Sequence, residues 1–210
     1  MDEIYRSIAT ATSVQIKVEG SRFIADVMPS VSEEEARTRL EAVRKQYFDA
    51  THHCFAYIIG AERTISRYSD DGEPSGTAGV KIHAAIHAKG LSDTLVIVTR
   101  YFGGTKLGVG GLGRAYFESA EHGIALAPTI QKAMVQELRV TFPFSETNPI
   151  MNIITSQKLK IAATEYTHEH TNITLYVLPS LLNSVSVLFT NATRGAAGLE
   201  RGAVRSVVWK

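Results

Sequence analysis

The sequence predicts an α+β protein of two domains, residues 1–130 and 136–210. Three observations carry this prediction. Short stretches alternating at the two-residue period of a strand are interspersed with stretches at helical spacing. The pattern restarts after Pro128. The restarted part reads strand, helix, strand, strand, helix, strand within about 75 residues, the βαββαβ order of the ferredoxin-like plan.

In chain order, "SVQIKVEG" sets Val14, Ile16 and Val18 against polar neighbours, as a half-buried strand does. Gly20 and Ser21 make the turn, and "RFIADVMP" is its antiparallel partner, ending at Pro29. "SEEEARTRLEAVRKQYF" is a helix: Ser32 with Glu35 fits a capping box, and Ala36, Leu40, Val43 and Tyr47 form one stripe. "HCFAYIIG" is a buried strand with "RTISRYS" as its neighbour, and "DDGEPSGTAG" is turn chemistry throughout. "VKIHAAIHAKG" is helical and stops at Gly90, "DTLVIVTRYF" is a second buried strand, and "RAYFESAEHGIALA" is a helix with a break expected at Gly123. Beyond the boundary, "MVQELRVTFP" is a strand, "SETNPIMNIITSQK" a helix, "KIAATEYTH" and "TNITLYVLP" strands, "SLLNSVSVLFTNATRG" a helix and "AVRSVVW" the last strand.

Bulk properties exclude several function classes. With 44% hydrophobic and 20% charged residues among 210, the chain has ordinary globular composition and can bury a core. No apolar run approaches the roughly 20 residues of a membrane span. The start, "MDEIYRSIATATSVQ", has acids where a signal peptide needs a basic region. A cytoplasmic location is expected. The single cysteine, Cys54, excludes an internal disulfide and a cysteine-rich zinc site. Net charge is +1; the chain to residue 135 carries 15 basic and 16 acidic residues, the remainder 7 and 5. Neither part is basic enough to announce a nucleic-acid binder, which leaves a local patch as the route to one.

Two glycine-bearing segments carry the chemistry. "RYFGGTKLGVGGLGRAY" has six glycines in seventeen residues. Gly108, Gly110 and Gly113 satisfy G-x-G-x-x-G, but a dinucleotide fold needs an acidic residue on a second parallel strand about 20 positions on, which here falls near Ala133. It is not a Walker loop either, because Lys106 precedes the last glycines. Glycines leading into a helix still leave amide donors free for an anion, with Lys106 and Arg114 adding charge. The bland alternative is a chain that only doubles back. "SDDGEPSGTAG" puts Asp70, Asp71 and Glu73 together, either as a solvated turn or as carboxylates for a divalent metal such as Mg²⁺.

His52, His53 and Cys54 invite a Cys–His pair. Strand neighbours point to opposite faces, so His53 and Cys54 do not meet, and His52 lacks an orienting third group. A buried core cysteine is the favoured reading. His83 and His87 have the four-residue spacing of a two-histidine metal site, without an identifiable third ligand.

Together "HHCFAY", "SDDGEPSGTAG" and "VTRYFGGTKLGVGGL" resemble the signature blocks of the YigZ/IMPACT family, over roughly residues 13–127. The matching positions include Asp70, Asp71, Gly72, Glu73, Pro74, Gly76, Thr77, Arg100, Gly103, Gly104, Gly108, Gly110 and Gly111. The resemblance implies a first domain with the α+β fold shared by a small-subunit ribosomal protein, elongation factor G and the GHMP kinases. It implies a second, ferredoxin-like domain similar to the last domain of elongation factor G. It implies no catalytic activity. Eukaryotic members regulate translation through protein partners and carry an additional N-terminal domain, for which the sequence before residue 13 leaves no room.

The expectation is a non-enzymatic protein, with no catalytic residues, that contacts a translation factor, the ribosome, RNA or a protein partner. The alternative is a phosphate-ligand or nucleotide-binding protein, conceivably an enzyme, with no cofactor beyond Mg²⁺ beside a phosphate. Its site would be a cleft between residues 70–77 and 100–113, formed by Asp70, Asp71, Glu73, Ser75, Gly76 and Thr77 facing Arg100, Tyr101, Gly103, Gly104, Lys106, Gly108, Gly110, Gly111 and Arg114.

Overall fold

The computed structural model describes residues 3–209. It shows a mixed α/β protein with two five-stranded sheets and five α-helices among the described residues. The chain divides into two compact units, the first running to Lys132 and taking in Trp209, the second Ala133–Val208. Residues 1, 2 and 210, which fall within the limits read from the sequence and include the first letters of the signal-peptide test, lie outside the described residues.

The first unit contains β1 (Ile4–Ile8), β2 (Thr12–Val18), β3 (Ser21–Pro29), α1 (Glu33–Gln46), β4 (His52–Ile59), β5 (Ile65–Ser69), α2 (Gly79–Ala88), β6 (Thr94–Tyr101) and α3 (Gly108–Leu126). Its sheet runs in the order β2-β3-β6-β4-β5, antiparallel at every pairing. The pleat sends alternate residues to opposite faces. Phe23, Ala25 and Val27 join Cys54, Ala56, Ile58, Val96 and Val98 under α2 and α3. Met28, Tyr57, Ile59, Leu95 and Ile97 pack under α1 on the other face. A strand covered on both sides has no polar face, which is why the middle of β6, residues 95–98, is an unbroken apolar run.

Local chemistry sets the element ends. Ser32 accepts from the Glu35 amide at 3.1 Å, and Glu35 accepts from the Val31 amide at 2.8 Å, fixing the start of α1 as the sequence predicts. The β2–β3 turn differs from the expectation. Val18 already pairs with Ser21, so the two-residue turn is Glu19-Gly20, both at positive φ. Helix α3 begins six residues before Arg114, at Gly108, and runs unbroken through Gly123. A Cβ on Gly123 would lie 2.8 Å from Val27 Cγ2 and 3.2 Å from Ala25 Cβ, so this glycine lets the helix lie close on β3 rather than breaking it. Strand β1 was not expected: Tyr5, Ser7 and Ile8 are buried, and the Ser92 amide donates to the Arg6 carbonyl at 2.9 Å.

The second unit holds most of β7 (Thr129–Pro143), then α4 (Thr147–Ser156), β8 (Lys160–Tyr166), β9 (His170–Val177), α5 (Leu182–Ala192) and β10 (Gly198–Val208). Its strands lie in the order β10, β7, β9, β8. Leu138, Val140, Phe142, Ile173, Leu175 and Val177 form one apolar face, covered by Ile150 and Ile154 of α4 and Leu182, Val185 and Phe189 of α5. Strands β7 and β10 start five residues earlier than their apolar letters suggest. Ladder hydrogen bonds extend a strand through residues whose side chains carry no signal.

Candidate functional site

Residues 70–78 lead from β5 into α2 and are anchored by carboxylates. Asp70 Oδ1 accepts from the amides of Ala78 and Gly79 at 2.9 and 2.8 Å, and Oδ2 from Gly76 at 2.9 Å. It therefore caps α2 from eight residues upstream. Burial alone would raise its pKa, but the three backbone donors outweigh that and hold the carboxyl below its ordinary value. Asp71 turns the other way. It accepts from Arg44 at 2.9 Å and from the His53 amide at 2.7 Å, while its own carbonyl lies 2.8 Å from His52 Nδ1.

Glu73 is buried. Its Oε1 accepts from Arg100 Nη1 and from the Tyr116 hydroxyl, each at 2.7 Å, and Oε2 lies 3.9 Å from His52 Nε2. Arg100 is equally buried and also reaches Ser21 Oγ at 3.3 Å. This Glu73–Arg100 pair clasps the loop to the end of β6, inside the protein, where removing either partner strands the other's charge. Cys54 completes the network: its thiol sits 3.0 Å from the Asp70 carbonyl and 3.3 Å from the Tyr116 hydroxyl. Burial pushes both the Cys54 thiol and the Tyr116 hydroxyl well up, so the thiol stays protonated, the opposite of what a nucleophile needs. His52 is turned to the Asp71 carbonyl. The residues form a core network, as the favoured sequence reading has it.

The glycine-rich stretch divides in two. A Cβ on Gly103 would overlap Gly20, 1.9 Å from its carbonyl carbon, and the Gly103 amide donates to Ser21 Oγ at 3.2 Å. Only two bare backbones fit there. The residues from Gly108 to Gly113 lie in the first turns of α3, so the G-x-G-x-x-G spacing falls within a helix, not in a strand-to-helix turn.

Here α3 faces α2 across a half-open groove of about 480 Å³, lined by Gly76, Thr77, Lys81, Ala84, Val109, Gly110, Gly113, Arg114, Phe117 and Glu118. Each flanking helix presents one cation, Lys81 and Arg114, both exposed. The place where a Gly76 Cβ would stand is open, and at Gly110 it meets only Arg114 Nη1, at 3.9 Å.

Of the expected cleft residues, the structure brings Gly76, Thr77, Gly110 and Arg114 together around this groove. Glu73 and Arg100 meet each other in the buried clasp. Tyr101 stands elsewhere, its hydroxyl on Asp49 at 2.8 Å and the Arg22 guanidinium 4.0 Å from its ring. Ser75, Gly104, Lys106 and Gly108 are exposed and outside the groove lining, and Gly111 abuts Leu107. Asp70, Asp71 and Glu73 do not converge, and no three His, Cys, Asp or Glu side chains among the described residues do so as metal ligands. His83 and His87 stack with ring centroids 6.4 Å apart, and Tyr68 lies 5.9 Å from His83.

Sequence reasoning missed Lys81, Phe117, Tyr116 and Ser21. Lys81 and Phe117 had a findable signal: each lies on a helix that begins at a glycine segment, Lys81 two residues past Gly79 and Phe117 nine past Gly108. Nothing local marks Tyr116 or Ser21.

Residues 19–124 match the Impact N-terminal domain. The chain is 33% identical over 198 residues to the IMPACT family member YvyE of Bacillus subtilis, covering 94% of this chain and 91% of that one. It is 31% identical over 160 residues to the IMPACT family member YigZ of Escherichia coli, covering 75% and 78%. A crystal structure described as that of a hypothetical protein superposes with a TM-score of 0.67 at 27% identity, covering 95% of this chain and 97% of the other.

Proposed function

The chain belongs to the IMPACT family, and we propose that it is a cytoplasmic, non-enzymatic binding protein that contacts RNA of the translation machinery through the groove between α2 and α3. The observation that carries this reading is the pairing of Lys81 and Arg114 across a groove whose walls are thinned by Gly76, Gly110 and Gly113. Small residues let a sugar–phosphate backbone approach, and two cations on opposite walls neutralise it. The buried clasp supports the same reading from behind: Glu73 and Arg100 fix the loop, while their charges are consumed internally. The Cys54 thiol and the Glu73–Arg100 pair are held in the core network and do not line the groove.

The proposal extends to the two folds. The first unit would have the α+β fold shared by a ribosomal protein, elongation factor G and the GHMP kinases. The second would be ferredoxin-like, like the last domain of elongation factor G; the strand order β10, β7, β9, β8 supports it.

A second reading is favoured by one feature, the groove's volume, which suits a small ligand as well as a strand. A nucleoside phosphate would then bind there, its Mg²⁺ carried by the phosphates. A thermal-unfolding screen separates the two. The ligands are ATP, GTP, pyrophosphate, a short single-stranded RNA and tRNA, each with and without Mg²⁺. A ligand at 100 times its dissociation constant adds about 2.7 kcal/mol to the folded state. A shift with RNA that Lys81→Ala and Arg114→Ala abolish supports the first reading. A shift with nucleotide alone replaces it with the second.

A further inference from the structure

The groove between α2 and α3 has two unlike ends. Lys81 Cε lies 3.2 Å from where a Gly113 Cβ would stand, so the lysine stem crosses to α3 and brings its ammonium to the level of Arg114. Arg114 turns back along its own helix, with Nη1 3.9 Å from the place of a Cβ on Gly110. Both cations therefore gather towards the start of α3.

The other end is aromatic and acidic. Eight residues beyond the Lys81–Gly113 contact on each helix, Lys89 pairs with Glu121 at 3.2 Å, so α2 and α3 run in step. Between those two contacts Ala84 of α2 and Phe117 of α3 line the groove. Phe117 is half-buried, anchored against the core of the first unit, with its remaining surface on the groove. A methyl group on one wall and an anchored ring on the other leave a slot for a flat group that stacks. Glu118 is exposed at the rim of this slot. It stands four residues from Arg114, the spacing at which a helical ion pair forms. Neither joins an ion pair among the described residues.

These charges give the groove a direction. Two cations at one end suit a phosphate, and the acid at the other repels it. From Gly110 to Glu118 the helix advances about 12 Å, at about 1.5 Å per residue. One nucleotide reaches over that length from its phosphate to its base edge. The acid also chooses among bases. A carboxylate only accepts hydrogen bonds, and it offers two oxygens side by side. Guanine alone among the four RNA bases presents two adjacent donors, N1–H and N2–H, on its Watson–Crick edge. Adenine, cytosine and uracil set an acceptor beside their donor, which would meet the second carboxylate oxygen. That edge is free only where the base is unpaired.

Building on the RNA reading of this groove, we propose that it selects an unpaired guanine nucleotide. The phosphate lies between Lys81 and Arg114, the base stacks on Phe117, and Glu118 accepts from N1–H and N2–H.

The test is a fluorescence-anisotropy titration of the full chain with four labelled strands, a uridine hexamer and its counterparts carrying one central G, A or C. The G strand should bind at least about tenfold more tightly than the other three, the discrimination that a bidentate contact to a base edge supplies. Glu118→Gln, at an exposed position, replaces one acceptor by a donor and should bring the four affinities to within about twofold of one another. A hairpin that holds the same G in a base pair should not compete. If the four strands bind equally and Lys81→Ala/Arg114→Ala weakens them together, the guanine assignment falls and the groove reading stands. A preference that survives Glu118→Gln also overturns the assignment, and failure of every strand to bind overturns both. Free GMP that matches the G strand keeps the guanine subsite and makes a free nucleotide its source.

Discussion

Gly103 and Gly110 belong to one glycine-rich stretch and meet opposite surroundings. Gly103 touches the backbone of Gly20, where a methyl group would displace the chain, and Gly110 faces open space. Gly103→Ala should therefore destabilise the first unit by about 1–3 kcal/mol or more, read by denaturant unfolding. Gly110→Val, at a helical position with room, should leave the unfolding midpoint within about 0.5 kcal/mol of the parent while weakening the ligand found in the thermal screen. If Gly110→Val stays folded and ligand affinity is unchanged, the groove assignment fails. The buried clasp is the most sensitive point. Arg100→Met should remove about 3–5 kcal/mol, because Glu73 would be left buried at 8% exposure without its guanidinium, keeping the Tyr116 hydroxyl and the more distant His52.

At the scale of elements, α2 depends on a residue outside it. Its own N-terminal flanking residue, Ala78, offers no capping side chain, and Asp70 Oδ1 accepts from the Ala78 and Gly79 amides instead. Because its folded pKa lies below the ordinary aspartate value, Asp70 contributes stability that is fully present above that ordinary value of about 3.9 and is lost as pH falls through the depressed one. Asp70→Asn should flatten the acid limb of stability against pH and change little of its shape above about pH 5; an unaltered acid limb would show that the cap is not the titrating group. The α1 capping box was legible in the letters because both partners lie within four residues. The Asp70 cap was not, because its partners are six to nine residues on and meet it only after the loop has folded. The same limit explains Gly123: the sequence shows a helix breaker, and only the packing against Val27 shows a helix that needs one.

For the whole molecule, a net charge of +1 means that no long-range field gathers polyanions, so any RNA affinity rests on a few local cations. With two phosphates neutralised, log affinity for single-stranded RNA should fall with log salt at a slope of about −1.4. Lys81→Ala and Arg114→Ala should each reduce that slope by about 0.7. A steep slope that survives both changes would locate the contacts elsewhere on the protein.

What the sequence determined by itself was set by local chemistry and period. It specified mixed α/β character, most of the helices and strands, the α1 cap, a cysteine in the core, and the family, through blocks of residues that are adjacent in the chain. Tertiary structure decided what those blocks do. It separated Asp70, Asp71 and Glu73 onto three different tasks, turned Glu73 and Arg100 inward against each other, and gave Gly103 to packing and Gly110 to a groove. The reason is physical: each of those outcomes rests on a partner many residues away, such as Ser21, Tyr116 or Lys81, and a contact between distant residues exists only once the sheet has brought its strands, and the helices upon it, into register.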